Sequence, residues 1–296
     1  MRLAYAGTTS LAVGVLAGLA AGSHEIVGVL TTPDKPRGRH GGLQPSPVKV
    51  AALEMGLPVQ QPDRPDDPAA VGDLLALSPD VLVVCAYGRI LRAPLLEALP
   101  VLVVHPSAVP RWRGAAPVVR ALMAGERRSG IATLRMTEGV DEGPVGDLRW
   151  LDLPDAADAG EAYEMIAPLA AQSVLATLTA MADGSIVWRP QEGEPSYATK
   201  VTEADRQVDW QRSPAEIVNQ IRALAPQIGA VTELGGKRLL LWRAVAATEL
   251  PVGQKERLFV TAKGGFVEII ELQPEGKRRM TAGEYLRGAG RALARP

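Results

Sequence analysis

The sequence has few of the residues that build disulfide frameworks and metal clusters. It contains one cysteine, Cys85, and three histidines among 296 residues. A single cysteine excludes an intrachain disulfide and a zinc cluster of several cysteines, and it is typical of a reducing compartment. Asparagine is also scarce, since Asn219 is the only one. Nothing in this composition implies a metal site.

The chain also lacks a strong net charge, but its two parts differ in sign. The total is -1, with -6 over residues 1–199 and +5 over residues 200–296. Hydrophobic residues make up 47% and charged residues 22%, as in soluble globular proteins, which argues against disorder. The basic rear part permits a nucleic-acid partner without requiring one.

The N-terminal segment lacks charge as well. No charged residue lies between Leu3 and Ser23, so the run resembles a signal peptide or a short membrane helix. The turn-forming residues Gly7–Ser10 interrupt it, whereas the core of a signal peptide is continuously apolar. The pattern favours a buried strand over residues 3–6, a tight turn and a helix over residues 11–21. We predict a cytoplasmic protein with no membrane segment.

Short apolar runs alternate with helical stretches in the first 188 residues, which predicts an α/β fold with an open, mostly parallel sheet and helices on both faces. The clearest strand patterns are residues 26–30, 81–85, 101–104 and 131–136. The predicted helices begin at Ser46-Pro47 and at Ser213, which has a capping box, and a long one covers 160–182.

The pattern changes after Trp188. Residues 189–207 contain Pro and Gly and predict a linker. The strand-like runs that follow are short and separated by turns, which predicts a small C-terminal β-barrel resembling an OB fold. The predicted domains are therefore 1–188 and 208–296, joined by the linker 189–207.

One histidine stands at the end of a buried strand. The run 101–104 leads directly into His105, and a loop with two prolines follows. Open α/β sheets bind ligands beyond the carboxyl ends of their strands, and a histidine there can transfer protons near neutral pH. From the residues alone, a histidine that only hydrogen-bonds the loop is an equal alternative.

An acidic turn follows the predicted strand 131–136. Because it also lies at a strand's carboxyl end, we expect Asp141 to reach the same crevice as His105. An Asp–His pair can relay a proton. The alternative from the residues alone is a solvated acidic turn.

Five motifs in order give the chain a resemblance to a family. They are QPSPVKV at 44–50, AYGRIL at 86–91, PRWRGAAP at 110–117, GVDEG at 139–143 and LQPEGKRRM at 272–280. Together with the length, they resemble methionyl-tRNA formyltransferases from Arg2 to about Arg291. The resemblance implies transfer of a formyl group from 10-formyltetrahydrofolate, a cosubstrate, to the α-amine of methionyl initiator tRNA. It implies no metal, no membrane and no protein partner.

The resemblance also implies roles for individual residues. The family's catalytic His and Asp fall on His105 and Asp141. Its folate-binding positions fall on Ser107, Ala108, Val109, Pro110, Tyr87, Gly88, Ile90 and Leu91. Its acceptor-stem loop falls on the loop with Lys35, Arg37 and Arg39, whose cations suit phosphates, and Lys277, Arg278 and Arg279 suit the tRNA backbone.

The chain departs from the family at one position of the Asn-x-His motif, because Val103 stands where the family has asparagine. Valine cannot donate a hydrogen bond to an oxyanion, and loss of one such donor typically lowers turnover by about 10²–10³. Two alternatives remain at this point, and Val103 motivates only the first. One is an impaired or silent homologue that only binds folate or tRNA. The other is a formyltransferase that acts on a small amine such as an amino sugar or a purine precursor.

Overall fold

The computed structural model describes residues 1–36, 41–250 and 256–291. Its first elements in chain order are β1 (Arg2–Gly7), α1 (Ser10–Ala20), β2 (Glu25–Leu30), β3 (Lys35–Pro36), β4 (Leu43–Gln44), α2 (Pro47–Glu54), β5 (Val59–Gln60), α3 (Pro68–Leu75), β6 (Val81–Cys85), α4 (Leu95–Ala98), β7 (Val101–His105), β8 (Arg113–Gly114), α5 (Pro117–Met123), β9 (Arg128–Arg135), β10 (Val145–Asp152) and α6 (Ala159–Ala182). The later elements are β11 (Tyr197–Ala198), α7 (Glu203–Arg206), α8 (Pro214–Leu224), β12 (Ala230–Leu234), β13 (Lys237–Ala247), β14 (Leu258–Ala262), β15 (Gly265–Pro274), β16 (Met280–Thr281) and α9 (Ala282–Arg287).

The chain forms two compact units that do not follow one after the other in sequence. The first unit takes residues 1–114, 129–151 and 163–197. The second takes residues 115–128 and 152–162, together with the chain from Ala198 onward. The domain limits that we derive from sequence stay a prediction. The predicted linker 189–207 includes the short elements β11 and α7.

A seven-stranded sheet organises the first unit, in the order β10-β9-β7-β6-β1-β2-β5. The pairs from β7 through β6, β1 and β2 to β5 are parallel, while β7 and β9 pair antiparallel. The run Val81–Cys85 is buried throughout because it lies in the middle of the sheet. Burial raises the pKa of the Cys85 thiol to about 12, which keeps it protonated.

The uncharged N-terminal segment forms β1 and α1 of this unit, as predicted. Its glycines permit close helix packing: a Cβ on Gly14 would lie 2.6 Å from the Cβ of Ala167, and one on Gly18 would collide with Ala171. Both alanines belong to α6, the one helix of the described residues that is long and apolar enough by length and composition to cross a membrane. The side of α6 that faces α1 is therefore packed inside the first unit.

The second unit is built on an antiparallel sheet in the order β12-β13-β15-β14, with β16 paired to β15. Helix α8 packs on β13, and it begins with the predicted capping box between Ser213 and Glu216. This arrangement is an antiparallel half-barrel. The predicted fold class, a mostly parallel α/β sheet with a small C-terminal β domain, is confirmed.

Candidate active site

Strand β7 delivers His105 into a buried position at its carboxyl end, where the residue is only 4% exposed. The ring Nε2 lies 2.8 Å from the carbonyl oxygen of Trp112. The ring Nδ1 lies 3.4 Å from Oδ2 of Asp141. A neutral imidazole has one N–H and can donate to only one of these oxygens, whereas a doubly protonated ring donates to both. With Nε2 donating to Trp112, the proton between Nδ1 and Asp141 is the one that this pair can hold or release.

The sequence argument for bringing these two residues together is wrong in one respect. It assumes that the turn with Asp141 follows a strand parallel to β7. Strand β9 is antiparallel, with Leu102 opposite Arg135 and His105 opposite Ala132. The carboxyl end of β9 therefore lies at the start of β7, away from His105. Asp141 lies in the loop between β9 and β10, and this loop brings its Oδ2 within 3.4 Å of His105 Nδ1.

Asp141 is held by contacts of its side chain and of its backbone. The backbone N–H of Gly114 donates to Oδ2 at 2.8 Å. The residue has φ +51, in the left-handed region that Asp adopts more readily than most residues. Nearby Gly143 has no room for a side chain, because a Cβ there would collide with the carbonyl oxygen of Arg135. The turn thus depends on glycine for its close approach to β9.

Two residues beside this turn, Arg113 and Gln191, contribute to the site although the sequence does not predict them as site residues. Gln191 Nε2 donates to the carbonyl oxygens of Asp141 and Gly143 at 2.7 and 2.8 Å. Arg113 donates to Gln191 Oε1 at 3.0 and 2.7 Å, and to Glu142 at 3.2 Å. The motif PRWRGAAP contains Arg113, but no pattern pairs it with a glutamine 78 residues later. Gln191 lies in a Pro- and Gly-rich segment that predicts only a linker.

A cleft of about 170 Å³ opens beside Asp141. Its wall includes Ile90 and Leu91 of the predicted folate-binding set, together with Val103. Tyr87 of the same set is 2% exposed, and its backbone carbonyl accepts a hydrogen bond from Thr8 Oγ1 at 2.6 Å. Burial raises the pKa of the Tyr87 hydroxyl to about 12. Gly88 has φ +78, in the left-handed region that favours glycine, and it lies just before the residues that line the cleft.

The other predicted folate-binding residues, 107–110, form the loop after His105. Ser107 is 3% exposed, and its hydroxyl donates to the Arg111 carbonyl at 2.7 Å. Ala108 packs closely on Gly130, and Val109 joins a buried apolar cluster. These three residues and Pro110 do not line the cleft beside Asp141. The side chains of Ser107 and Val109 are engaged in the loop itself and in the apolar cluster.

Val103 lies two residues before His105 on β7, so both side chains face the same side of the sheet. Its isopropyl group packs against a cluster of buried apolar side chains, Val109, Ala132, Leu134 and Val145. Val103 is partly exposed and lines the cleft together with Asp141. The position where the resemblance implies asparagine therefore presents an apolar surface here.

The predicted tRNA-binding residues of the N-terminal loop are only partly described. Lys35 is exposed on β3, which pairs with β4. Arg37 and Arg39 lie outside the described residues. The base of this loop is fixed by Lys49, whose Nζ lies 2.8 Å from Asp34, and this contact lowers the pKa of that carboxyl.

The three predicted cations of the second unit have different surroundings. Arg278 is exposed and lies 2.8 Å from a carboxylate oxygen of Glu284. The Arg279 guanidinium lies over the ring of Trp242, 3.9 Å from its centroid, and stabilises the fold of this unit by a cation–π contact. Lys277, in the turn before β16, is exposed. Lys277 is therefore the cation of this set that best suits a phosphate contact.

Comparison with known proteins gives consistent results over most of the chain. A family model described as "Formyl transferase" matches residues 1–147, and one described as "Formyl transferase, C-terminal domain" matches residues 200–290. The methionyl-tRNA formyltransferase of Symbiobacterium thermophilum is 39% identical over 303 residues, covering 98% of this chain and 93% of the relative.

Solved structures share the fold. The methionyl-tRNA formyltransferase from Clostridium thermocellum matches with a TM-score of 0.62 at 15% identity, over 93% of this chain and 98% of that one. HypX from Aquifex aeolicus, solved in complex with tetrahydrofolic acid, matches with a TM-score of 0.69 at 21% identity, over 97% of this chain and 47% of that one. At these identities the likeness shows the fold alone.

Proposed function

Because this chain belongs to the methionyl-tRNA formyltransferase family, we propose that its first unit carries the formyl-transfer centre, with His105 and Asp141 as the proton-transferring pair. The enzyme formylates methionyl-tRNA, as its full-length relatives at about 39% identity do. The formyl donor that we propose is 10-formyltetrahydrofolate, and the acceptor is the α-amine of methionyl initiator tRNA. A role in translation initiation places the enzyme in the cytoplasm.

The reaction requires proton movement at two nitrogens. A bond forms between the formyl carbon and the α-amine of methionine, and the bond from that carbon to N10 of the folate breaks. The amine loses a proton and N10 gains one, so a group that accepts and returns a proton serves both halves. His105 Nδ1 lies 3.4 Å from Oδ2 of Asp141, so we propose that this pair accepts and returns the proton. The contact of His105 with Asp141, a residue that lines the cleft, is the observation that carries the proposal.

The cleft is where we place the formyl donor. Ile90 and Leu91 offer an apolar wall for the pterin, and the turn 139–143 offers backbone polar groups on the other side. The loop Ser107–Pro110 would contribute its backbone. For the tRNA, we propose phosphate contacts from Lys35, Arg37 and Arg39 in the N-terminal loop and from Lys277 and Arg278 in the second unit.

The test is a formylation assay with purified protein, methionyl initiator tRNA and 10-formyltetrahydrofolate. We expect His105→Ala and Asp141→Ala each to remove most of the activity. The matched controls are His24→Ala and Asp63→Ala, which lie away from the cleft lining and should keep normal turnover. Normal turnover in either site variant would contradict the assignment of that residue.

The same assay separates the two alternatives that the sequence leaves open. A homologue that only binds would show affinity for folate or tRNA with no turnover above background. A formyltransferase for a small amine would show turnover on that amine and no salt-dependent binding of tRNA. Formylation of methionyl-tRNA by the native protein would contradict both.

A further inference from the structure

We propose that Gln191 is a positioning residue for the Asp141 carboxylate and acts through the backbone of the turn that carries it. This inference rests on the proposed role of Asp141 in proton transfer. Gln191 is not part of the cleft lining, and its amide contacts the backbone behind Asp141. It would therefore affect the reaction through the placement of the turn that carries this carboxylate.

The amide of Gln191 has every hydrogen-bonding position filled. Its two N–H groups donate to the carbonyl oxygens of Asp141 and Gly143. Its oxygen accepts from Nε and Nη2 of Arg113. A side-chain amide offers two donors and two acceptor positions, so the set is complete. Because a guanidinium can only donate, Arg113 also fixes which end of the amide faces the turn.

These contacts form a closed ring around Asp141. Arg113 binds the oxygen of Gln191, Gln191 binds the carbonyl of Asp141, and the Asp141 carboxylate accepts from Gly114 N–H at 2.8 Å. Arg113 and Gly114 are consecutive in the chain, so one short segment anchors both the backbone and the side chain of Asp141. Neither Arg113 nor Gln191 lines the cleft.

The backbone conformation of the turn explains why such an anchor matters. Asp141 has φ +51, which costs an L-residue free energy unless its surroundings fix it. Two donations from Gln191 fix the carbonyls on either side of Glu142 and so set the peptide planes of the turn. Without them, the carboxylate can move relative to His105 while the sheet remains intact.

Gln191→Glu is the sharpest variant because it keeps the size of the side chain and the acceptor for Arg113. It removes both donors and places a carboxylate oxygen against two carbonyl oxygens. We expect kcat for formylation to fall by about ten- to a hundredfold, since misplacement of about 1 Å can cost that much. The KM for methionyl-tRNA should not change.

Gln172→Glu is the matched control. Gln172 is an exposed residue of α6 whose oxygen also accepts a hydrogen bond from an arginine, Arg149 at 3.2 Å. Like Gln191→Glu, this variant replaces an amide that accepts a hydrogen bond from an arginine by a carboxylate, but it does so away from the cleft. It should keep the kcat of the native enzyme. An equal fall in both variants would overturn the proposal.

A double-mutant cycle with Asp141→Asn tests the route of the effect. If Gln191 acts through the carboxylate, Gln191→Glu should cost little further turnover once Asp141 is already asparagine. A loss of the same factor in both backgrounds would assign Gln191 a general structural role and overturn the proposal. Native turnover in Asp141→Asn alone would refute the proposed role of Asp141 itself, so the two failures are distinguishable.

A measurement independent of turnover completes the test. The Gly114 amide proton is bonded to the Asp141 carboxylate, so its exchange with deuterium reports how firmly that carboxylate is held. We expect exchange at Gly114 to accelerate in Gln191→Glu and to stay unchanged in Gln172→Glu. Unchanged exchange in Gln191→Glu would show that Asp141 is held without the glutamine.

Discussion

Val103→Asn gives the wall of the cleft a hydrogen-bond donor that the native side chain lacks. Val103 faces the same side of β7 as His105 and lines the cleft with Asp141, so an amide there would face the cleft in which we place the formyl donor. One donor to a tetrahedral oxyanion is worth about 2.7–4 kcal/mol, or about 10²–10³ in kcat. We therefore expect the variant to raise kcat by about 10²-fold or more.

The same substitution should lower the stability of the folded protein. The isopropyl group of Val103 packs against Val109, Ala132, Leu134 and Val145, and an amide would lose part of that apolar contact. The amide stays hydrated in the open cleft, so the cost is the apolar contact that is lost. We expect a lower Tm for Val103→Asn in the absence of substrates, together with faster turnover.

The assay is single-turnover formylation of methionyl initiator tRNA at saturating formyl donor, which isolates the chemical step. Val103→Asp is the matched control, because it has the shape of asparagine but its ionised carboxylate cannot donate. That variant should show no gain. A folded Val103→Asn enzyme with native turnover would refute the reasoning and would mean that another group already supports the oxyanion.

Three further predictions follow from the structure. Gly143→Ala should lower both Tm and kcat, because the added Cβ would collide with the carbonyl oxygen of Arg135. Gly72→Ala on α3 is the control, since its Cβ would meet no other atom, and it should lower neither value in thermal melts and formylation assays. Hydrogen bonds from Arg120 hold the pKa of Asp205 below its usual value, so their stabilisation is present above about pH 4 and is lost as pH falls through the folded pKa. In urea titrations from neutral to acid pH, Arg120→Met should lose this dependence. Lys277→Ala should weaken tRNA binding and reduce the slope of log affinity against log salt by about one in filter-binding titrations.

Much of the fold follows from the sequence because its strongest signals are local. The strand patterns at 81–85 and 101–104 are continuous and buried, and they match β6 and β7. Ser46 caps α2 by accepting a hydrogen bond from Lys49 N–H at 3.0 Å, as the Ser-Pro pair predicts. Local chemistry of this kind does not depend on the rest of the chain.

The direction of β9 is not encoded locally. A strand pattern gives residues and faces, but the direction relative to β7 depends on the path of the chain between them. That path includes α5, which belongs to the second unit. Strand β10 is not predicted either. Most of its residues are partly or fully exposed, so they do not form the apolar run of a buried strand.

The residues of the candidate site also differ in how far the sequence predicts them. His105 stands out because it ends a buried strand in a chain with three histidines, and Asp141 follows from the resemblance. Gln191 carries no signal of its own, since its partners lie about 50 and 78 residues earlier in the chain. Only the folded structure brings those partners together.

The interleaved threading of the two units limits how this protein can be cut. Helix α5 lies between β7 and β9 in sequence, yet it packs with α8 in the second unit and buries Val118, Val119 and Leu122. A fragment that stops at residue 188 would keep α5 and lose α8. The apolar side chains that α5 packs against α8 would then be exposed to water. The two units therefore cannot be separated by a single cut in the sequence.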